Sequence, residues 1–142
     1  ETLVRIYPFG AHGTQVRKPS KYLFASPAFR SMYYNFVGNI ITQQNYMGKL
    51  LEDTIGLYFN RCLASTSHSL TYDSSLNGAD FIVKLQDKWI IVEAGYGTKG
   101  FQQIENTNKR VQSKYGLVIS MSPLGLPSPE IVTVPLSYFL LM

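Results

Sequence analysis

Two carboxylates thirteen residues apart, Asp80 and Glu93, offer this chain its clearest chemistry. Two β-type runs, residues 80–85 and 88–93, flank Gln86-Asp87 and read as a hairpin with a short turn. With the turn centred between Gln86 and Asp87, Leu85 faces Lys88, Val83 faces Ile90, and Asp80 faces Glu93. Directly opposed Cβ atoms on one face of a hairpin lie about 4.5–5.5 Å apart. Like charges that close are unfavourable unless a proton or a cation separates them. Carboxylate oxygens favour Mg2+ or Mn2+, and such an ion polarises a phosphodiester and activates water. A turn with an odd number of residues breaks this register. The plain alternative is a pair of strand-end acids in solvent.

Other candidates lie around this pair. Glu52 borders the apolar stripe of a long helix, where an inward-facing acid competes with an ordinary solvated one. Lys99 follows the hairpin, and Gln102 and Gln103 fall in the first turn of the next helix. Gly95, Gly97 and Gly100 match G-x-G-x-x-G. A dinucleotide site also needs a parallel βαβ unit and an acid about 20 residues further on; Ser120, Met121 and Ser122 stand there instead. The better reading is a tight turn opening a helix N-terminus, where an anion can rest. Gly48-Lys49 is followed by Leu50, so no phosphate-binding P-loop is present. A single cysteine, Cys62, excludes an internal disulfide and a multi-cysteine zinc site, and two histidines, His12 and His68, make a poor basis for a metal site.

The elements that must position these residues follow from pattern. Residues 1–26 are weakly periodic and punctuated by Pro8, Gly10, Gly13 and Pro19, so the core is expected to begin later, although 21–24 suits a short strand. Ser26-Pro27 is a helix start, with Ser as N-cap and Pro in the first turn, and a helix over 28–37 ends near Gly38. Met47, Leu51, Ile55, Tyr58 and Cys62 form one stripe of a helix over 46–63 capped by Asn45. A short strand is expected at 70–73. The hairpin arms are apolar on both faces, which marks strands buried from two sides. A helix over 101–113 ends at Gly116, and strands follow at 117–120 and 131–134, with an apolar ending at 136–142. The expected organisation is a basic connector with a short helix at 1–44 and an α/β domain at 45–142, with helices flanking a mixed central sheet.

The chain has 142 residues, 45% of them apolar and 15% charged, so a folded domain is expected rather than a disordered one. Its net charge is +4. Arg5, Arg17, Lys18, Lys21 and Arg30 stand against Glu1 alone in the first 35 residues, and the remainder is balanced. A basic segment attracts phosphate backbones. Arg17, Lys18 and Lys21, with Gln103, are therefore candidate nucleic-acid contacts, against the alternative of a solvated connector. No apolar run approaches the ~18 residues of a membrane span and no signal peptide opens the chain, so a cytoplasmic protein without a membrane partner is expected. Glu1 stands where an initiator Met would, which suggests a domain of a longer protein. A homo-oligomer stays open.

Taken in order, a helix glutamate, Asp80, Glu93 at the end of the next strand, and a helix bearing Lys and Gln resemble the PD-(D/E)xK nuclease superfamily. More narrowly, several motifs resemble the C-terminal nuclease-like domain of archaeal and bacterial AAA-type P-loop ATPases. They are Lys21-Tyr22-Leu23-Phe24, Ser26-Pro27-Ala28-Phe29-Arg30, Gly48-Lys49-Leu50-Leu51-Glu52, Gly78-Ala79-Asp80-Phe81 and Val134-Pro135-Leu136. The resemblance spans residues 20–142. It implies a restriction-endonuclease-like core of order αβββαβ, Mg2+ or Mn2+ on Asp80 and Glu93, a supporting role for Glu52, DNA as substrate, and an ATPase domain upstream. The superfamily places a lysine two residues after the strand glutamate, where this chain has Gly95. Lys99, from the turn, and Lys84, on the strand of Asp80, are the two candidates to supply the amine. If neither does, the implied role is a nuclease-like module that binds nucleic acid or a protein partner without cutting.

Overall fold

A computed structural model describes residues 2–10, 16–38, 42–63, 70–97 and 99–141. Both histidines and the polar stretch 65–69 lie outside the described residues. Among the described residues the elements follow in chain order: β1 (Leu3–Pro8), β2 (Lys21–Phe24), α1 (Pro27–Val37), α2 (Gln43–Leu63), β3 (Leu70–Tyr72), β4 (Phe81–Leu85), β5 (Lys88–Ala94), α3 (Gln102–Val111), β6 (Tyr115–Ser120), β7 (Gly125–Ser128), β8 (Ile131–Pro135) and α4 (Leu136–Phe139). The strands form one mixed sheet in the order β2-β1-β3-β4-β5-β6-β8-β7. β3, β4 and β5 are antiparallel neighbours, whereas β5, β6 and β8 run parallel.

The double-sided burial of the hairpin has a direct cause. Phe81, Val83 and Val92 point to the face covered by α2 and α4, packing with Leu51, Ile55 and Phe139. Ile82 and Ile91 point to the opposite face, under Ile104 of α3. Strand side chains alternate between faces, so a strand between two helical layers must be apolar at every position. The chain order α2-β3-β4-β5-α3-β6 thus builds an α/β unit around a central mixed sheet.

Three local expectations are corrected. The core does not wait until after residue 26. β1 pairs parallel with β3 and antiparallel with β2, and Ile6 and Leu23 are core residues. The burial of β1 alternates over few residues and Arg5 stands exposed in it, so its apolar signal is weak and its sheet partner is distant in sequence. α2 begins at Gln43, and the Thr42 hydroxyl, rather than Asn45, receives an early backbone N–H, that of Asn45, at 3.3 Å. Gly116 is not a helix cap. α3 closes at Gln112 in the left-handed region (φ 58°), and Gly116 lies in β6, where a Cβ would meet Ile104 Cγ2 at 2.6 Å. Close packing of α3 on the sheet, not turn geometry, requires that glycine. α1 starts and stops as read: the Ser26 hydroxyl accepts from Ala28 N–H, and Gly38 closes it at φ 65°.

One buried ion pair ties the N-terminal elements to the rest. Asp53 of α2 is fully buried and accepts from the Arg30 guanidinium of α1, including a 2.8 Å bond from Nη2 to Oδ1, and from the Phe24 N–H of β2 at 3.3 Å. The carboxylate raises the already high pKa of Arg30, by its hydrogen bond and, against the opposing cost of burial, by its charge. Removing one member of such a pair leaves the other buried and unpaired, at about 3–5 kcal/mol. Asp53→Ala is expected to lose stability of that order, read as a lower denaturant midpoint at unchanged slope. A change below about 0.5 kcal/mol would contradict this account.

Candidate functional site

The hairpin register is the one the sequence implies: Phe81 pairs with Val92, Val83 with Ile90 and Leu85 with Lys88. Gln86 turns the chain at φ 55°. Asp80 sits one residue before β4, and its Oδ2 accepts the Ala94 N–H at 3.0 Å, which holds it beside the end of β5. Glu93 lies on β5 with only 1% of its surface exposed. Its Oε1 meets the Lys99 ammonium at 2.8 Å, and its Oε2 is buried without a hydrogen-bond partner. A cleft of about 430 Å3 opens over this end of the sheet, walled by Tyr34, Lys49, Glu52, Asp80, Gly95, Tyr96 and Lys99 among others.

Gly95, two residues after Glu93, has a physical role. A Cβ on Gly95 would stand 1.9 Å from Lys99 Cε and 2.7 Å from its Cγ. The Lys99 side chain therefore fills the space that a side chain at position 95 would occupy, and its ammonium reaches Glu93 from the turn. Lys84, the other candidate, lies over the Trp89 ring at 5.4 Å, near the turn of the hairpin. Four residue steps of extended chain separate it from Asp80, about 13 Å.

Glu52 also lines this cleft, and Lys21 reaches it and Asp80 from β2. Glu52 is buried, and both its oxygens are held: Oε1 by Lys21 of β2, and Oε2 by Lys49 at 2.6 Å. Lys21 also lies 3.5 Å from Asp80 Oδ1 and donates to the Asp80 carbonyl at 3.1 Å. Lys21 is thus engaged inside the site and not presented as a surface contact. Arg17 and Lys18, three or four residues earlier, are exposed. Gln103 donates to the Gly78 carbonyl at 3.1 Å, so its amide fixes the approach to Asp80. The same approach is anchored on α3 by Thr107, which receives the Ala79 N–H at 3.0 Å and donates to Asp73 at 2.6 Å. Arg110 Nε closes the network on Asp73 at 2.9 Å. The sequence reading missed Lys49, although its i,i+3 spacing to Glu52 is a legible signal. It gave Lys21 a different task because nothing local brings β2 to α2.

These contacts divide the acids into two kinds. Burial alone would raise Glu52, but the charges of Lys21 and Lys49 outweigh it and hold its pKa low. Burial, then the charge of Asp80, pushes Glu93 up to about 7 against the pull of Lys99. Burial, then the charge of Glu52, raises Asp80 despite Lys21. Asp80 and Glu93 therefore remain short of positive charge. Among the described residues no group of three or more His, Cys, Asp or Glu gathers as a metal site. The two carboxylates still suit a hard divalent cation: their donors are oxygens, the charge of Asp80 raises Glu93, and Glu93 Oε2 is buried and unpartnered. Glu52, saturated by two lysines, does not offer a third ligand.

The glycine turn does not form a dinucleotide site. β5 and β6 do run parallel about α3. The space over Gly95, where a pyrophosphate would need to approach, is filled by Lys99, and the end of β6 carries Ser120 instead of an acid.

No protein-family model matches the chain. It is 32% identical over 120 residues to an uncharacterized protein, MJ1637, of Methanocaldococcus jannaschii. That alignment covers 84% of this chain and 25% of the relative, so the chain spans about a quarter of the length of the curated protein it matches.

Two outcomes test this geometry. Gly95→Ala is expected to expel the flexible Lys99 side chain while the fold persists. An unchanged titration of Glu93, followed by carboxyl NMR, would show that Lys99 does not depend on the glycine. The second concerns pH. Between the ordinary 4.5 and about 7, folded Glu93 keeps a proton that the unfolded chain has released. Stability from this group therefore falls as pH rises through that window. Glu93→Gln is expected to flatten the fall in melting temperature over that range, and a slope as steep as wild type would refute the assignment.

Proposed function

We propose that this chain is a nuclease-like domain of the PD-(D/E)xK kind that hydrolyses phosphodiester bonds in DNA with Mg2+ or Mn2+. The observation that carries the reading is the Lys99 ammonium 2.8 Å from Glu93, lying where a side chain at position 95 would be. It answers the one departure of this sequence from the superfamily pattern. The order α2-β3-β4-β5-α3-β6 and the meeting of Asp80 with the end of β5 support it further.

In this reading Asp80 and Glu93 hold the metal, which when bound polarises the phosphodiester and lowers the pKa of water. The chain's own groups do the rest. Lys99 offers a fixed positive charge to the negative charge that develops on the phosphoryl oxygens, without reorganisation at the moment of reaction. Glu52 acts through its lysines, keeping Lys21 and Lys49 beside the scissile region. Exposed Arg17 and Lys18 contact the backbone of the substrate. The whole protein is proposed to carry an ATPase domain in addition to this one; the match to a protein about four times the aligned length allows room for it.

A second reading has its own observation. Each of Glu52, Asp80 and Glu93 has a lysine ammonium within 4 Å, so every acid of the cluster already has a resident counter-charge. A nuclease-like module would then bind nucleic acid or a protein partner and couple this to the ATPase, without cleavage.

Asp80→Ala separates the readings. It is expected to reduce Mg2+- or Mn2+-dependent DNA cleavage by on the order of 100-fold or more with an unchanged circular dichroism spectrum. Equal cleavage by the variant would end the enzymatic reading. Wild-type binding of DNA without cleavage under either ion would establish the module instead.

A further inference from the structure

One lysine beside the cleft faces Asp80, one of the two acids of the metal reading. Lys21 comes from β2, at the edge of the sheet, yet its side chain is only 19% exposed. A free surface lysine extends its ammonium into water. This one is turned inward and held on several sides. It pairs with Glu52 Oε1, approaches Asp80 Oδ1 at 3.5 Å and donates to the Asp80 carbonyl at 3.1 Å. The ammonium also lies over the Phe81 ring, 4.6 Å from its centroid, and 5.7 Å from that of Tyr72.

The oxygen it faces is the important one. Asp80 Oδ2 accepts the Ala94 N–H, which makes Oδ1 the less engaged oxygen for an external cation, and Lys21 stands against it. An ammonium and a divalent ion at contact distance from one carboxylate oxygen repel strongly in a partly dehydrated cleft. The local charge also balances, since Glu52, Asp80 and Glu93 face Lys21, Lys49 and Lys99. The formal count is even although its distribution is not: Glu52 holds two ammonium groups at hydrogen-bond range while Asp80 Oδ1 has one at 3.5 Å.

We infer that Lys21 is the resident counter-cation of the site, and that a divalent ion binds only by displacing it from Asp80 Oδ1 onto Glu52. This rests on the reading of Asp80 and Glu93 as the metal-holding pair. Glu52 is suited to receive the displaced ammonium, because Lys21 already pairs with it and needs to give up only its Asp80 contacts. Lys21 is thus a positioning residue, and metal occupancy is set by the N-terminal hairpin of β1 and β2.

The test is calorimetric titration of Mn2+ into the whole chain and into Lys21→Met, Lys21→Gln and Lys49→Met, with no substrate present. Both Lys21 variants are expected to bind Mn2+ about tenfold tighter than wild type. Their melting temperatures are expected to be lower without metal and to rise more on adding it. Lys49→Met removes the same formal charge and one Glu52 partner, and is expected to gain clearly less. Lys21→Gln keeps an amide that can donate to the Asp80 carbonyl, so it serves if the methionine variant does not fold. Unchanged or weaker binding by the Lys21 variants overturns the inference and leaves the metal reading standing. An equal gain in Lys49→Met also overturns it, since the effect would then be net charge alone. No Mn2+ binding by any of the four proteins defeats the metal reading itself and this inference with it.

Discussion

Three carboxylates desolvated around the end of β5 need positive charge, and the arrangement there follows from how that need is met. Glu52 comes from a helix, Asp80 from the approach to a strand and Glu93 from the strand itself. Each carries a cost of desolvation that a bare acid would relieve by taking up a proton. Lysines from three further positions supply the opposing charge: Lys21 from β2, Lys49 from α2 and Lys99 from the turn after β5. The supply is uneven. Two ammonium groups on Glu52 hold its pKa low, while Asp80 and Glu93 stay raised. The same cluster thus contains one satisfied acid and two that would gain from a further cation.

Holding that imbalance requires rigid support, and two polar networks provide it. On the α3 side, Asp73, Thr107, Arg110 and Gln103 fasten residues 78 and 79, so that Asp80 emerges at a fixed point. On the α2 side, the Asp53–Arg30 pair draws α1 and β2 against the long helix, and with β2 comes Lys21. Both networks lie outside the cleft. They decide which charged groups can meet inside it.

Gly95 and Lys99 show how one geometric place can be filled from two points in the chain. The space beside a strand residue is defined by the sheet, and the absence of a side chain at 95 lets the turn fold a lysine back over it. The same filling makes the glycine-rich turn unsuited to a pyrophosphate. A motif that suggests phosphate binding by its spacing thereby becomes the seat of an amine directed at a carboxylate.

What was legible in the sequence was local. The hairpin register followed from two β-type runs and a two-residue turn, because pairing across a short turn depends only on neighbouring residues. The start and stop of α1 followed from Ser26, Pro27 and Gly38, and the burial of β4 and β5 on both faces from their unbroken apolar runs. Asp80 and Glu93 were brought to the same sheet end by that register alone. The tertiary structure decided the rest. β1 was illegible because its pattern is short and its sheet partner, β3, lies more than sixty residues away. Gly116 read as a cap because glycine ends helices, whereas the packing of Ile104 gives it a different reason. Lys21 read as a surface cation because composition carries no direction. Only the assembled sheet turns it toward Glu52 and Asp80, since the charge a side chain meets is set by elements distant in sequence and adjacent in space.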